Sequence, residues 1–122
     1  MPGLKFIEFQ LGERHNYQYV IIEVEEENFG LTRDELLRVM HAENVLVRRY
    51  FYPGSHRQMP YRAYYPNAGL LLPETERLCQ RVLSFPTGTG IAAADVARIG
   101  EILRRAHQCA PEVRRALAAT AA

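Results

Sequence analysis

The run YQYVIIEV, residues Tyr17–Val24, constrains the fold most, because aromatic and β-branched residues dominate it. Such residues favour extended backbone, so the run predicts a strand. A few residues further on, Thr32 and Glu35 have the spacing of a capping box, in which each side chain accepts a hydrogen bond from the other's backbone amide. The box predicts that a helix begins here, buries an apolar face that includes Leu36, and ends near residues 43–44.

The remaining elements are predicted from shorter patterns. Further strands are predicted at Leu4–Phe9, Val45–Tyr50 and Leu83–Phe85, and further helices at Pro73–Val82, Ala93–His107 and from Pro111 onward. The charged residues 25–30 predict a turn, and Val96 is predicted to lie on the buried stripe of its helix.

The order of these elements predicts an α+β fold in one domain, residues 1–122. We expect a small antiparallel or mixed sheet of three to four strands, with helices packed mainly on one face. Residues 108–122 predict an alanine-rich C-terminal helix or tail.

The overall charge limits the classes of partner that this chain is expected to bind. Fifteen basic and fourteen acidic residues leave a net charge of +1, which gives no electrostatic basis for binding nucleic acid or an anionic membrane. The apolar runs are far too short to span a membrane. Cys79 and Cys109 are isolated in the sequence and form no CxxC pair, which favours a reduced, cytoplasmic setting.

One segment, Arg48–Arg62 (RRYFYPGSHRQMPYR), concentrates aromatic and cationic side chains, and its prolines and Gly54 predict irregular backbone. Loops of this kind are often presented to ligands by a rigid scaffold. Tyrosine offers a flat face and a hydroxyl, and arginine can bind a phosphate through two hydrogen bonds. The candidate binding residues in this part of the chain are His56, Tyr52, Tyr61, Tyr64, Tyr65, Arg57 and Arg62. From the residues alone, tyrosines packed on the sheet and solvated arginines are an equally good interpretation. We call residues 50–65 the tyrosine-rich segment.

Other kinds of site have weaker support. The four histidines are scattered and form no helical i, i+4 pair, so no metal site is predicted. Ser55 next to His56 has no third partner and no GxSxG context, which argues against a hydrolase nucleophile. The loop 87–90 precedes a helix but lacks the lysine and glycine pattern of a phosphate loop, so it predicts a connecting turn.

Three motifs together carry a resemblance to a known family. They are RDEL at Arg33–Leu36, the YPxxH run Tyr52–His56 with Tyr61 after it, and the LPETERL to PTGT run Leu72–Thr89. Over Leu4–Ala106 the chain resembles the C-terminal part of the DegT-type nucleotide-sugar aminotransferases. Enzymes of that type use pyridoxal phosphate (PLP) to aminate keto-sugars attached to a nucleoside diphosphate.

The resemblance implies an α+β small domain whose partner, a large domain, carries PLP as an imine to a lysine. Lys5 is the sole lysine here, and its LKFIEF context does not match the family's lysine motif. The chain is therefore expected to be a piece of an aminotransferase, with no catalytic residue, no bound cofactor and no activity alone. The resemblance also implies that the whole enzyme is a homodimer, and it leaves the oligomeric state of this chain open. Where the large domain is missing, we expect an exposed apolar patch or self-association that hides it.

By resemblance, His56 and Tyr61, and then Tyr52 and Arg57, contact and orient the nucleotide-sugar substrate. The alternative from a different class is a free-standing α+β module that binds a ligand or partner through the tyrosine-rich segment. The two hypotheses differ in whether a cofactor domain is needed for function.

Overall fold

The computed structural model describes residues 1–10 and 12–120. Its strands are β1 (Leu4–Phe6), β2 (Val20–Val24), β3 (Arg48–Arg49) and β4 (Val82–Phe85). Its helices are α1 (Glu26–Phe29), α2 (Arg33–Ala42), α3 (Tyr61–Tyr64), α4 (Ala68–Leu71), α5 (Pro73–Arg81), α6 (Ala93–Gln108) and α7 (Ala110–Ala119), with a 3₁₀ turn at Ser55–Arg57. Residues 121–122 of the predicted C-terminal helix or tail lie outside the described residues.

The strands form one antiparallel sheet in the order β1-β2-β4-β3. The two central strands, β2 and β4, are paired with Ile22 opposite Leu83. Strand β3 lies at one edge, with Arg49 opposite Leu83, and β1 lies at the other edge. An antiparallel sheet with packed helices confirms the predicted α+β fold class.

Side-chain alternation divides the sheet into two faces with different coverings. The core face, which includes Ile22 and Leu83, packs against buried side chains of α1, α2, α6 and α7. The second face, which includes Ile21 and Glu23, faces α5 and the tyrosine-rich segment. Helices thus lie mainly on one face of the sheet, and the second face is covered less completely.

The predicted capping box at the start of α2 is present. The Thr32 hydroxyl oxygen accepts from the Glu35 amide at 3.1 Å, and the Thr32 amide donates to the Glu35 carboxylate at 2.7 Å. Burial raises the pKa of Glu35, but hydrogen bonds from Thr32 and Arg114 outweigh burial and lower the pKa overall. The carboxylate therefore stays ionised at the helix start, where the helix dipole favours a negative charge.

Strand β3 is much shorter than the predicted strand Val45–Tyr50. The Val45 amide donates to the Met40 carbonyl at 2.8 Å, so the chain is still bonded to the end of α2 there. Val47 is almost fully buried in the core instead of extending the ladder. The prediction was wrong because these β-branched residues fill the core, which the local pattern cannot distinguish from strand pairing.

Two further predictions are corrected by the packing. The predicted turn at residues 25–30 contains the short helix α1, which ends at Gly30 with a left-handed φ of 91° and places Phe29 in the core. Val96 was predicted to be buried, yet it is 60% exposed. Helix α6 meets the core only from Ile99 onward, so its first turn extends into solvent.

Candidate functional site

The tyrosine-rich segment is more regular than its prolines predicted. It contains the 3₁₀ turn at Ser55–Arg57 and helix α3, and helix α4 follows it before α5 begins. The turn is closed by the Arg57 amide, which donates to the Gly54 carbonyl at 2.8 Å. The predicted irregular loop is thus a series of short turns, which holds its side chains in defined positions over the second face.

A large cavity lies between the second face, α5 and the tyrosine-rich segment. Its volume is about 1040 Å³, at the upper end of the range typical of small-molecule sites. The sheet contributes Ile21 and Val82, and α5 contributes Leu78. The segment contributes aromatic side chains and a few polar groups, namely Tyr50, Phe51, Ser55, His56, Tyr61 and Tyr65. This large cavity is mostly apolar with polar groups on one wall, which suits a ligand with a flat or apolar part.

His56, one of the predicted site residues, lines the large cavity, and its ring contacts a carboxylate that lies outside this cavity. Its side chain is only 10% exposed, and its Nε2 atom lies 2.5 Å from the Glu76 Oε1 atom. A Cβ atom on Gly54 would lie 2.7 Å from Cε1 of His56, so glycine is needed for the ring to sit there. The His56 ring is therefore fixed by packing and by one carboxylate.

Arg57 binds the same carboxylate but lines a different cavity. Its Nε atom donates to Glu76 Oε1 at 2.6 Å. Together with Tyr52, it lines a small cavity of about 300 Å³ that does not include Tyr61. The structure thus separates the four predicted residues into two pairs. His56 and Tyr61 line the large cavity, whereas Tyr52 and Arg57 line the small cavity.

Tyr52 is fixed by two guanidinium groups. The Arg33 and Arg49 guanidinium carbons lie 5.0 Å and 5.3 Å from its ring centroid, within cation–π distance. Arg33 is almost fully buried, and its Nη1 atom donates to the Cys79 carbonyl at 3.0 Å. Its Nε atom lies 2.7 Å from Asp34 Oδ1. Arg33 therefore joins the start of α2 to the end of α5, and it contacts Tyr52 and Cys79, which both line the small cavity.

Sequence reasoning missed two residues that organise this site, Glu76 and Arg33. Glu76 lies in the run PETE, where Glu74 has the same chemistry but is exposed and pairs with Arg77. Nothing in the sequence distinguishes the two carboxylates, because the contact of Glu76 depends on the fold of a segment nineteen residues earlier. Arg33 stands out in the sequence only as part of the RDEL motif, and its burial has no local signal.

Glu76 should give the protein a measurable acid sensitivity. Hydrogen bonds from Arg57 and His56 lower the pKa of Glu76 from 4.5 to about 2. A depressed folded-state pKa stabilises the fold above the unfolded value, and this stabilisation is lost as the pH falls from 4.5 through 2. We expect the free energy of unfolding in urea to fall less steeply over that range in Glu76→Gln than in the parent chain. Glu74→Gln is the control, and an identical slope in the Glu76 variant would contradict the ion pairing.

The residues of this chain do not fit PLP held as an imine. Lys5, the sole lysine, is exposed on edge strand β1, where it lies opposite Glu23 in the sheet register. It lines neither the large nor the small cavity. An exposed edge amine has no surrounding pocket that would exclude water from an imine. Among the described residues, no group of three or more His, Cys, Asp or Glu could hold a metal ion, and no helix is long and apolar enough to cross a membrane.

The exposed apolar side chains are concentrated near this site. Several of them lie between residues 59 and 71, beside the large cavity, and they comprise Met59, Tyr61, Tyr64, Tyr65, Leu70 and Leu71. Such a concentration is typical of a surface that contacts another protein or domain.

Comparison with known proteins connects this architecture to a family. The model of the DegT/DnrJ/EryC1/StrS aminotransferase family matches residues 1–104. The chain is 26% identical over 102 residues to the dTDP-4-amino-4,6-dideoxy-D-glucose transaminase of Escherichia coli, an alignment that covers 84% of this chain and 27% of that protein. It also matches DesI, in a crystal structure analysed in the presence of its TDP-sugar product, with a TM-score of 0.78 and 40% identity.

The DesI match covers 99% of this chain and 29% of the DesI chain. The chain thus spans less than a third of the length of both relatives. The family as a whole consists of PLP-dependent aminotransferases. Since the family model matches most of the residues and the fold is shared with DesI, this chain belongs to the DegT/DnrJ/EryC1/StrS aminotransferase family.

Proposed function

We propose that this chain supplies the small domain of a nucleotide-sugar aminotransferase, and that the tyrosine-rich segment forms one wall of the substrate pocket. The observation that carries the proposal is the match to DesI, because nearly the whole chain shares its fold with a protein crystallised in the presence of a TDP-sugar product. The similarity to a dTDP-amino-sugar transaminase supports the same class of substrate. The substrate would be a keto-sugar attached to a nucleoside diphosphate.

In this role the two pairs of site residues have different tasks. His56 and Tyr61 contact the sugar or the base from the wall of the large cavity, where an aromatic face and a hydroxyl are available. Tyr52 and Arg57 contact the diphosphate from the small cavity. Arg57 pairs with Glu76 through its Nε atom, so its terminal nitrogens remain as donors to a phosphate. These residues bind and orient the substrate, and none is proposed to transfer a proton.

The proposed chemistry requires a second part of the enzyme. No amine of this chain is placed to hold the cofactor aldehyde, so the chain alone is proposed to be inactive. A large domain carrying PLP would supply the cofactor, and the exposed apolar side chains between residues 59 and 71 suit a surface that packs against it. We propose a homodimer in the cytoplasm as the working form.

The alternative is a free-standing module that binds a ligand or partner without a cofactor domain. The volume of the large cavity favours this alternative, because about 1040 Å³ accommodates a whole small molecule. The alternative predicts saturable binding of a small molecule by the purified chain. The aminotransferase proposal predicts that tight substrate binding needs the cofactor domain as the opposite wall.

A chimera tests the proposal directly. In it, this chain replaces the matching segment of DesI, and reverse transamination is measured from the DesI TDP-sugar product. We expect kcat/KM within about a hundredfold of DesI, a loss of about 2.7 kcal/mol, since the 40% identity leaves some substrate contacts altered. The control is imine absorbance, which reports that PLP is bound. A folded chimera that shows this absorbance but neither binds nor converts the TDP-sugar would contradict the proposal.

A further inference from the structure

We propose that Glu76 is the positioning residue of the substrate-binding wall, and that its carboxylate holds the tyrosine-rich segment in its binding geometry through His56 and Arg57. This inference rests on the proposed function and assigns a role to a residue outside the predicted site. We call Glu76, His56 and Arg57 the Glu76 cluster. Glu76 lines the small cavity and does not line the large one, so it acts on the large cavity through His56.

The first support is that one carboxylate oxygen joins two adjacent residues of the segment to α5. Oε1 of Glu76 lies 2.5 Å from His56 Nε2 and 2.6 Å from Arg57 Nε. Hydrogen bonds between a carboxylate and a cationic donor are stronger than neutral ones. The side chains of Glu76 and His56 are 23% and 10% exposed, so the pair is shielded from most of the solvent that weakens surface ion pairs.

The second support is that glycines on both sides make room for the Glu76 cluster. A Cβ atom on Gly69, in α4, would lie 3.0 Å from Arg57 Nη2 and 3.1 Å from Glu76 Oε1. A Cβ atom on Gly54 would lie 2.7 Å from the His56 ring. The chain before and after α3 therefore packs closely on the Glu76 cluster.

The third support is the position of Glu76 on its helix. It lies in the first turn of α5, where unpaired amides and the helix dipole favour a carboxylate. Helix α5 is anchored to the sheet by Arg77, whose Nη1 atom donates to Glu23 of β2 at 2.5 Å. Glu76 thus connects a segment of short turns to an element fixed on the sheet, as a group that preorganises a binding wall should.

Hydrogen exchange on the purified chain tests the positioning role without any activity measurement. In Glu76→Ala we expect the amides of Arg57 and Gln58, which close the 3₁₀ turn, to exchange about tenfold faster. Exchange of the core-strand amides of Ile22 and Leu83 should stay unchanged. Glu76→Gln keeps an acceptor oxygen and should show a smaller increase. Glu74→Ala, two residues earlier in the same turn, is the matched control and should leave the exchange of both amides unchanged.

The outcomes of this experiment separate the possibilities. Unchanged exchange at Arg57 and Gln58 overturns the inference, and so does an equal increase at the core strands, because that result indicates general destabilisation. Rescue by Glu76→Gln supports the inference.

In the DesI chimera, Glu76→Ala should raise KM several-fold with a smaller change in kcat, and an unchanged KM overturns the positioning role. If the chimera without this substitution is inactive, the proposed function fails, whereas the exchange result still decides whether Glu76 holds the segment.

Discussion

Replacing Phe29 with alanine should destabilise the protein by about 3–5 kcal/mol, the largest effect expected of any single substitution here. Phe29 has no exposed surface, and its ring stacks on His107 with 5.4 Å between the ring centroids. The truncation removes apolar contacts and leaves a cavity that the surrounding core fills only in part. Because small domains are stable by about 5–15 kcal/mol, a substantial unfolded population should appear in mild urea. Urea denaturation followed by circular dichroism measures the change.

Val96→Ala is the control, because it shortens an apolar side chain that lies outside the core. The sequence pattern places Val96 on the buried stripe, but the side chain is 60% exposed. A substitution at such a site should change stability by less than about 0.5 kcal/mol. A loss comparable to that of Phe29→Ala would show that α6 packs differently.

Replacing Tyr61 with alanine in the DesI chimera should lower kcat/KM by about tenfold. Tyr61 lines the large cavity, where its ring and hydroxyl can contact the sugar nucleotide. A lost aromatic contact and a lost hydrogen bond are each typically worth about 0.5–1.5 kcal/mol. Because the role proposed for Tyr61 is substrate binding without chemistry, the loss should appear mainly in KM. Steady-state kinetics with the TDP-sugar product measures it.

Tyr64→Ala is a closely matched control for this prediction. Tyr64 lies on the same short helix, α3, but it is 72% exposed and does not line the large cavity. Because Tyr64 belongs to the surface proposed to face the large domain and not to the substrate wall, its loss should leave KM within about twofold. Equal effects of the two substitutions would show that α3 acts through the domain surface and not through the large cavity.

The fold class and the helix starts could be predicted because they depend on short-range patterns. The capping box at Thr32 and the proline at Pro73 fix helix starts by local hydrogen bonding and backbone geometry. The extent of the strands could not be predicted in the same way. Val47 has the composition of a strand residue but fills the core, and only long-range packing decides between the two.

The candidate site was predictable in its location and not in its organisation. The crowding of tyrosine and arginine identifies the segment, and it gives His56 and Tyr61 as candidates. The division into a large and a small cavity depends on α5 lying over the second face of the sheet, which no local pattern encodes. Glu76 could not be recognised for the same reason, since its partners lie far from it in the sequence.

Whether the purified chain can hold PLP is the measurement that decides most directly if it needs a separate cofactor domain. Increasing amounts of PLP are added to the parent chain and to Lys5→Arg, which removes the sole lysine, and imine absorbance and transamination are recorded. We expect only the same weak, non-saturating absorbance in both proteins, and no amino transfer. A saturable band of one PLP per chain that disappears in Lys5→Arg, or turnover of a nucleotide sugar by the parent chain alone, would contradict this expectation.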